Sequence, residues 1–233
     1  MNSNRKIMII KHLKVLSTSL ALLCSLTISV QAKASDKASP YIGAGYQFNQ
    51  LSHTQGNASL STGSISVDYG DYFESDFNNF NLFVGFDLKD TNLAFELGYL
   101  KSYWESKSNN NTGLVWPDNL NPFGTRADSQ LEIISLDAIY NHKIPNHDKL
   151  SFLAIGGLSK ISFDSTTYFL ESGFLRESAS VTQNGYGLNF GVGLEVDVIN
   201  NLSARTVVKY TTVNGIDFFD SLLSYNVGFK YQF

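Results

Sequence analysis

The stretch Gly185–Val198 reads GYGLNFGVGLEVDV, and its two faces decide the fold. In an extended chain successive side chains point to opposite sides. Tyr186, Leu188, Phe190, Val192, Leu194, Val196 and Val198 share one face; Gly185, Gly187, Asn189, Gly191, Gly193, Glu195 and Asp197 share the other. A soluble sheet also alternates, but it packs its apolar face and shows water a face of long polar side chains. Here the second face is largely glycine, which weakens a strand and is kept where other groups crowd close. The glycine face therefore points into a narrow space, and the apolar face is the outside.

An apolar outside means lipid, and lipid tolerates no open sheet edge, because every backbone N–H and C=O must be paired. The strands must close into an all-β antiparallel barrel. Eight alternating runs are present, at residues 41–51, 77–88, 93–104, 130–142, 150–163, 185–198, 202–213 and 222–233. The connections at 89–92, 143–149 and 199–201 are short, those at 52–76, 105–129 and 164–184 are long, and that at 214–221 is intermediate. Short periplasmic turns opposite long extracellular loops are the habit of outer-membrane barrels. One run fits less well: in LSFLAIGGLSKISF (150–163) the adjacent Gly156 and Gly157 put an unsuitable residue on one face in either parity, so a bulge or a register slip is expected there.

Both ends of the chain agree. Residues 1–14 carry Arg5, Lys6, Lys11 and Lys14 and no acid, residues 15–30 are mostly apolar, and Ala32-Lys33-Ala34 follows. This is the pattern of a cleavable secretory signal peptide, cut after Ala34 or, as second choice, Ala32. The stretch is shorter than the roughly 20 apolar residues a retained anchor needs, and serines and threonines interrupt it. Residues 35–233 then form one barrel domain. Without the leader, 12 basic side chains face 21 acidic ones, a net of about −9, and the one cysteine, Cys24, is gone. A nucleic-acid partner needs clustered positive charge and is excluded. At the other end SLLSYNVGFKYQF (221–233) alternates to its last residue, with Leu223, Tyr225, Val227, Phe229, Tyr231 and Phe233 on one face.

These pieces, with PYIGAGYQF (40–48), SLDAIYN (135–141), YGLNFGVGLEVDVINNLSARTVVKY (186–210) and VGFKYQF (227–233), resemble the small eight-stranded outer-membrane barrels of Gram-negative bacteria. That group holds opacity-type surface proteins, outer membrane protein X and the barrel of outer membrane protein A. The resemblance spans the mature chain as an architecture. It implies that Tyr231 and Phe233 form a signal for the barrel-assembly machinery. It also implies an integral outer-membrane location, outer-membrane lipid as surroundings, and a host or cell-surface ligand met through the loops.

Few residues carry chemistry. Gly43-Ala44-Gly45 and the glycines of 185–193 are not followed by a helix, which a phosphate-cradling loop requires. Asp68, Asp71, Glu74 and Asp76 offer oxygen ligands for calcium, but their spacing matches no known loop, and a solvated acidic face is the simpler reading. No cofactor is expected. Some small barrels are lipid-modifying or proteolytic enzymes built on a histidine with a nearby serine and acid. His142 and His147 fall beside a periplasmic turn, leaving His53, next to Ser52, as the one candidate. A passive porin is the other alternative, but eight strands enclose only enough space for side chains.

The lumen is expected to be charged. With Asn200 at the centre of a three-residue turn, Val198 pairs with Leu202, Asp197 with Ser203, and Glu195 with Arg205. Inward charges need partners, so Glu96, Asp137, Glu195, Arg205, Lys209 and Lys230 should form one network. Outside, the second loop contains NTGLVWPDNLNPFGTR (111–126). There Trp116 and Phe123, stiffened by Pro117 and Pro122, are the candidate contact residues, with an interfacial aromatic girdle or a cap over the barrel as the plainer readings.

Overall fold

The computed structural model describes residues 38–60, 63–109, 124–171 and 174–233. Eight strands form a closed antiparallel ring: β1 (Ala38–His53), β4 (Asp76–Leu88), β5 (Leu93–Lys101), β7 (Gly124–Lys143), β8 (Leu150–Glu171), β9 (Phe174–Ile199), β10 (Leu202–Asn214) and β11 (Phe219–Gln232). Each ring strand pairs with its neighbours in the chain, and the β1–β11 ladder, Tyr41 opposite Gln232 through His53 opposite Phe219, closes the circle. Three short strands stand apart from the ring: the hairpin of β2 (Gln55–Leu60) and β3 (Gly63–Asp68), and β6 (Glu105–Asn109), which adds to the upper part of β7. A single 3-10 turn, Tyr69–Asp71, follows β3.

The faces fall as the alternation requires. Tyr186, Leu188, Phe190, Val192, Leu194, Val196 and Val198 are all exposed on the barrel wall, as are Tyr225, Val227, Phe229, Tyr231 and Phe233. The glycines point inward against crowded neighbours: a Cβ on Gly193 would press on the Thr206 carbonyl and lie 3.0 Å from Val207. In the short turns Asp90 and Asn146 adopt positive φ (64° and 67°), a conformation these residue types tolerate.

Three expectations change. First, β8 is regular through Gly156 and Gly157, which oppose Ala138 and Asp137; its only register shift lies between Phe169 and Leu170. Gly156 faces the open wall while Leu153, Ile161 and Phe163 are buried inside. The run looked irregular because the lumen accepts apolar side chains as well as small ones. Second, the turn after β9 holds two residues: Leu202 pairs with Ile199, not Val198, although Ser203–Asp197 and Arg205–Glu195 stand opposite each other. The slip between Leu202 and Ser203 is a bulge that restores the same faces. Third, much of the long connections is strand. β8 and β9 continue through most of 164–184 as one hairpin, β7 begins at Gly124, and the third run ends at Lys101 instead of Trp104 because Ser102 breaks the ladder. Ser102 donates its N–H to Leu131 O (2.8 Å) and accepts from Leu131 N–H through its hydroxyl (2.9 Å).

Candidate functional site: a filled lumen and a sheet outside the membrane

The lower lumen is a layer of buried ion pairs. Arg205 on β10 donates from Nη1 and Nη2 to the two oxygens of Glu96 on β5, at 2.6 and 2.7 Å. The guanidinium also lies 3.6 Å from the centre of the Phe83 ring, and Tyr41 donates its hydroxyl to Glu96. Lys209 bonds Asp137 at 3.0 Å, and Lys230 reaches Glu195 at 2.5 Å and Asp87 at 3.7 Å. All six charges named from the sequence thus face the lumen, but as three pairings instead of one network. Arg205 reaches across the barrel to Glu96 and leaves its register neighbour Glu195 to Lys230. Asp87 was missed. It shares the inward parity of Asn81 and Phe83 on β4, a signal that alternation offered once a register was assigned.

Above the charges lies a layer of amides and hydroxyls. Asn189 donates to Asp137 Oδ1 (2.7 Å) and accepts from Ser159 and Thr211. Gln47 and Ser224 donate to Asn49, and Asn226 donates to Asn81. Between these layers remains a cavity of about 40 Å³, bounded by Glu96, Asp137, Arg205, Lys209 and Asn226; the Nε of Arg205 is buried without a protein partner. That is room for little more than a water or two.

The extracellular end is plugged by apolar side chains. Phe73, Phe77, Phe163, Phe219, Leu51, Leu131, Ile161 and Leu222 form one buried cluster, with Tyr69, Tyr72 and Phe218 packed on it. Phe73 meets Phe218 at 4.6 Å and Phe163 at 5.9 Å between ring centres. Burial, with the Asp71 carboxylate nearby, raises the Tyr72 phenol above its ordinary pKa. The cap is therefore made by the first and last extracellular connections. Sequence alternation could not have found it, since Phe73 and Phe218 lie outside the ring strands. Backbone bonds Leu51 N–H to Ser75 O, Tyr69 N–H to Thr54 O and Thr54 N–H to Phe218 O tie the pieces together, and Lys107 Nζ donates to Gly70 O.

His53 belongs to this cap. Its Nδ1 lies 3.1 Å from Phe218 O and its Nε2 3.2 Å from Glu74 O. Both ring nitrogens lie against backbone carbonyl oxygens, so the ring is used to join the first and last extracellular connections. Asp68 caps the 3-10 turn by accepting from Gly70 N–H, and Glu74 accepts from Ser75 N–H. Among the described residues no group of three metal-ligating side chains converges.

Above the plug β6, β7, β8 and β9 continue as a four-stranded sheet, paired as far as Asn109–Thr125 and Gly124–Leu170. Trp116 and Phe123 lie outside the described residues, in the connection between β6 and β7. Tyr231 and Phe233 sit on the outer wall and pack edge to face at 5.3 Å, and Phe233 N–H donates to Pro40 O.

The sequence matches the family described as outer membrane protein beta-barrel domain over residues 19–233. No match is found among curated proteins. Among solved structures, a major outer membrane protein from Thermus thermophilus is similar with a TM-score of 0.57 and 15% identity, over 84% of this chain and 99% of that one. The attachment invasion locus protein Ail of Yersinia pestis aligns with a TM-score of 0.49 and 12% identity, over 84% and 99%. Neisserial surface protein A aligns with a TM-score of 0.47 and 14% identity, over 85% and 100%. At these identities the likeness concerns the fold. A ring of eight strands closed on itself, with lipid-facing apolar walls and a family match over nearly its whole length, makes this chain a member of the outer membrane protein beta-barrel domain family.

Proposed function

We propose that the chain is a closed, non-enzymatic surface barrel of the outer membrane that acts through the sheet and loops it holds outside the cell. The observation that carries this reading is where the chain spends its length. Strands β8 and β9 run 22 and 26 residues, when about 9–11 cross a bilayer. The surplus stands in water above a lumen occupied by ion pairs, amides and an aromatic plug. Such a lumen supports neither diffusion of solutes nor entry of a substrate, and His53, the candidate base, is engaged by two carbonyls. Export by a leader over residues 1–34, cut after Ala34 or Ala32, and insertion by assembly machinery reading Tyr231 and Phe233 belong to the same reading.

Trp116 and Phe123 are the contact residues in this proposal, because the connection that carries them leaves from the sheet at Asn109 and returns at Gly124. Buried aromatic anchors dominate binding surfaces. Cells carrying Trp116→Ala with Phe123→Ala, at matched surface levels, should bind host cells or matrix far less than cells carrying Asn109→Ala. Undiminished binding removes the second connection as the contact site, and stepwise ion conductance by the purified barrel in planar bilayers would favour a pore instead.

A further inference from the structure

The outer wall of the barrel carries a feature that the surface-contact reading does not use. A groove of about 340 Å³ opens on the lipid-facing side across β5, β7, β8 and β9, walled by Leu97, Ile134, Leu136, Leu158 and Tyr186, with Lys160 at its outer end. Its size falls in the range of small-molecule sites, roughly 300–1,000 Å³. The groove faces the membrane, so what fills it is lipid. The remaining question is whether one kind of lipid is selected, and Lys160 decides that. On β8 the outward positions run Phe152, Ala154, Gly156, Leu158 and then Lys160. From Phe152 to Lys160 the strand climbs about 26 Å at roughly 3.3 Å per residue, or about 20 Å along the membrane normal at a tilt near 40°. An apolar band about 25 Å tall therefore places Lys160 just below the outer-leaflet headgroups, where a lysine extends its ammonium to the interface.

Of the neighbouring outward charges, Lys101 pairs with Glu132 at 3.0 Å, and Asp164, further along β8, accepts from the Thr182 hydroxyl. Lys160 is exposed and has no ion-pair partner among the described residues, and Tyr186, 69% exposed, stands opposite it in register. A cation at the edge of hydrocarbon with an aromatic hydroxyl beside it and an apolar groove beneath it is complementary to an anionic headgroup on an acyl chain. We propose that this wall is a binding site for an anionic lipid of the outer leaflet, its terminal phosphate (a phosphomonoester, with net negative charge) held by Lys160 and Tyr186 and one acyl chain lying between Leu136 and Leu158.

The full chain, inserted in phosphatidylcholine nanodiscs doped with phosphatidic acid and released for native mass spectrometry, should retain phosphatidic acid over phosphatidylcholine by roughly fivefold, as expected for one lysine at an anionic surface. Lys160→Gln should abolish that preference, Lys160→Arg should keep it, and Leu136→Trp, which fills the groove, should lower retention of both lipids. Lys101→Gln, at the paired rim lysine, should change nothing. Heat-modifiable migration identifies any variant that has lost its fold, and the Arg variant carries the test if the Gln variant has. Equal retention of the two lipids by the unaltered chain overturns the proposal, as does an unchanged preference in Lys160→Gln. An equal loss in Lys101→Gln also overturns it, since that would mean diffuse surface charge and no site. None of these outcomes bears on adhesion, so this proposal and the surface-contact reading fail separately.

Discussion

Replacing Arg205 by alanine should be among the most damaging single changes in the barrel that create no clash. The side chains of Arg205 and Glu96 are 5% and 8% exposed and share two charge-assisted bonds of 2.6 and 2.7 Å. Truncation removes both bonds and the contact with Phe83, and leaves the Glu96 carboxylate with the Tyr41 hydroxyl alone. Breaking a buried pair by deleting one partner costs about 3–5 kcal/mol, because the remaining charge stays out of water. The cavity of about 40 Å³ beside the pair lets a water reach Glu96, which argues for the lower end, near 3 kcal/mol. Lys101→Ala provides the internal control. Its pair with Glu132 has the same length class, 3.0 Å, but the side chains are 41% and 31% exposed, so the loss should stay below about 1 kcal/mol. The measurement is equilibrium urea unfolding in lipid vesicles, followed by tryptophan fluorescence and by heat-modifiable migration, with the m value checked for constancy. Replacing both partners, Arg205→Met with Glu96→Leu, should recover most of the loss, since an apolar pair of similar volume leaves no orphaned charge. The reasoning fails if Arg205→Ala costs no more than Lys101→Ala, or if the double replacement is as unstable as the single one.

Three further outcomes are expected. Gly157→Ala should destabilise by about 1–3 kcal/mol, because a Cβ there would meet the Leu136 carbonyl and lie 2.8 Å from the Asp137 Cα. Gly156→Ala, with nothing within 4 Å, should be neutral or stabilising by about 0.5–1 kcal/mol. Similar urea midpoints for the two would contradict the inward and outward assignment of this strand. Deleting Phe233, or changing it to Ser, should reduce folded, protease-protected barrel in the outer membrane while leaving passage across the inner membrane intact, and equal levels of folded protein would refute the assembly role. Phe73→Ala with Phe218→Ala, which empties the centre of the plug, should loosen the first extracellular connection toward protease yet give no steady conductance in planar bilayers. A stable open channel would mean that the ion-pair layer does not seal the lumen.

Much of this architecture is legible in the strands that touch lipid. In β9 and β11 one face meets hydrocarbon and must be apolar, so period two runs unbroken through 186–198 and 223–233, and the sidedness of the barrel follows from glycine lying opposite it. In β10 the turn of two residues and its bulge left the Arg205–Glu195 register readable even though the pair nearest the turn was misassigned. Legibility ends where water replaces lipid. Residues 164–184 read as loop because the described side chains there, Ser165 apart, are at least partly exposed on both faces, and a segment such as DSTTY has no reason to alternate in hydrophobicity.

By itself, then, the sequence determined a closed antiparallel barrel, the lipid-facing side of strands such as β9 and β11, short connections at one end and long ones at the other, and that six charges point inward. Each of these follows from one strand and its immediate neighbour. The tertiary structure alone decided the partners inside. Arg205 joins Glu96 across 109 positions of chain, and Lys230 joins Glu195 and Asp87, because curvature and stagger bring non-adjacent strands face to face across the lumen. It alone decided the plug, since Phe73 and Phe218 lie on connections whose course depends on the closed rim they cover. Pairing along a sheet is local and is written in alternation. Contact across a barrel is a property of closure, and no single strand encodes it.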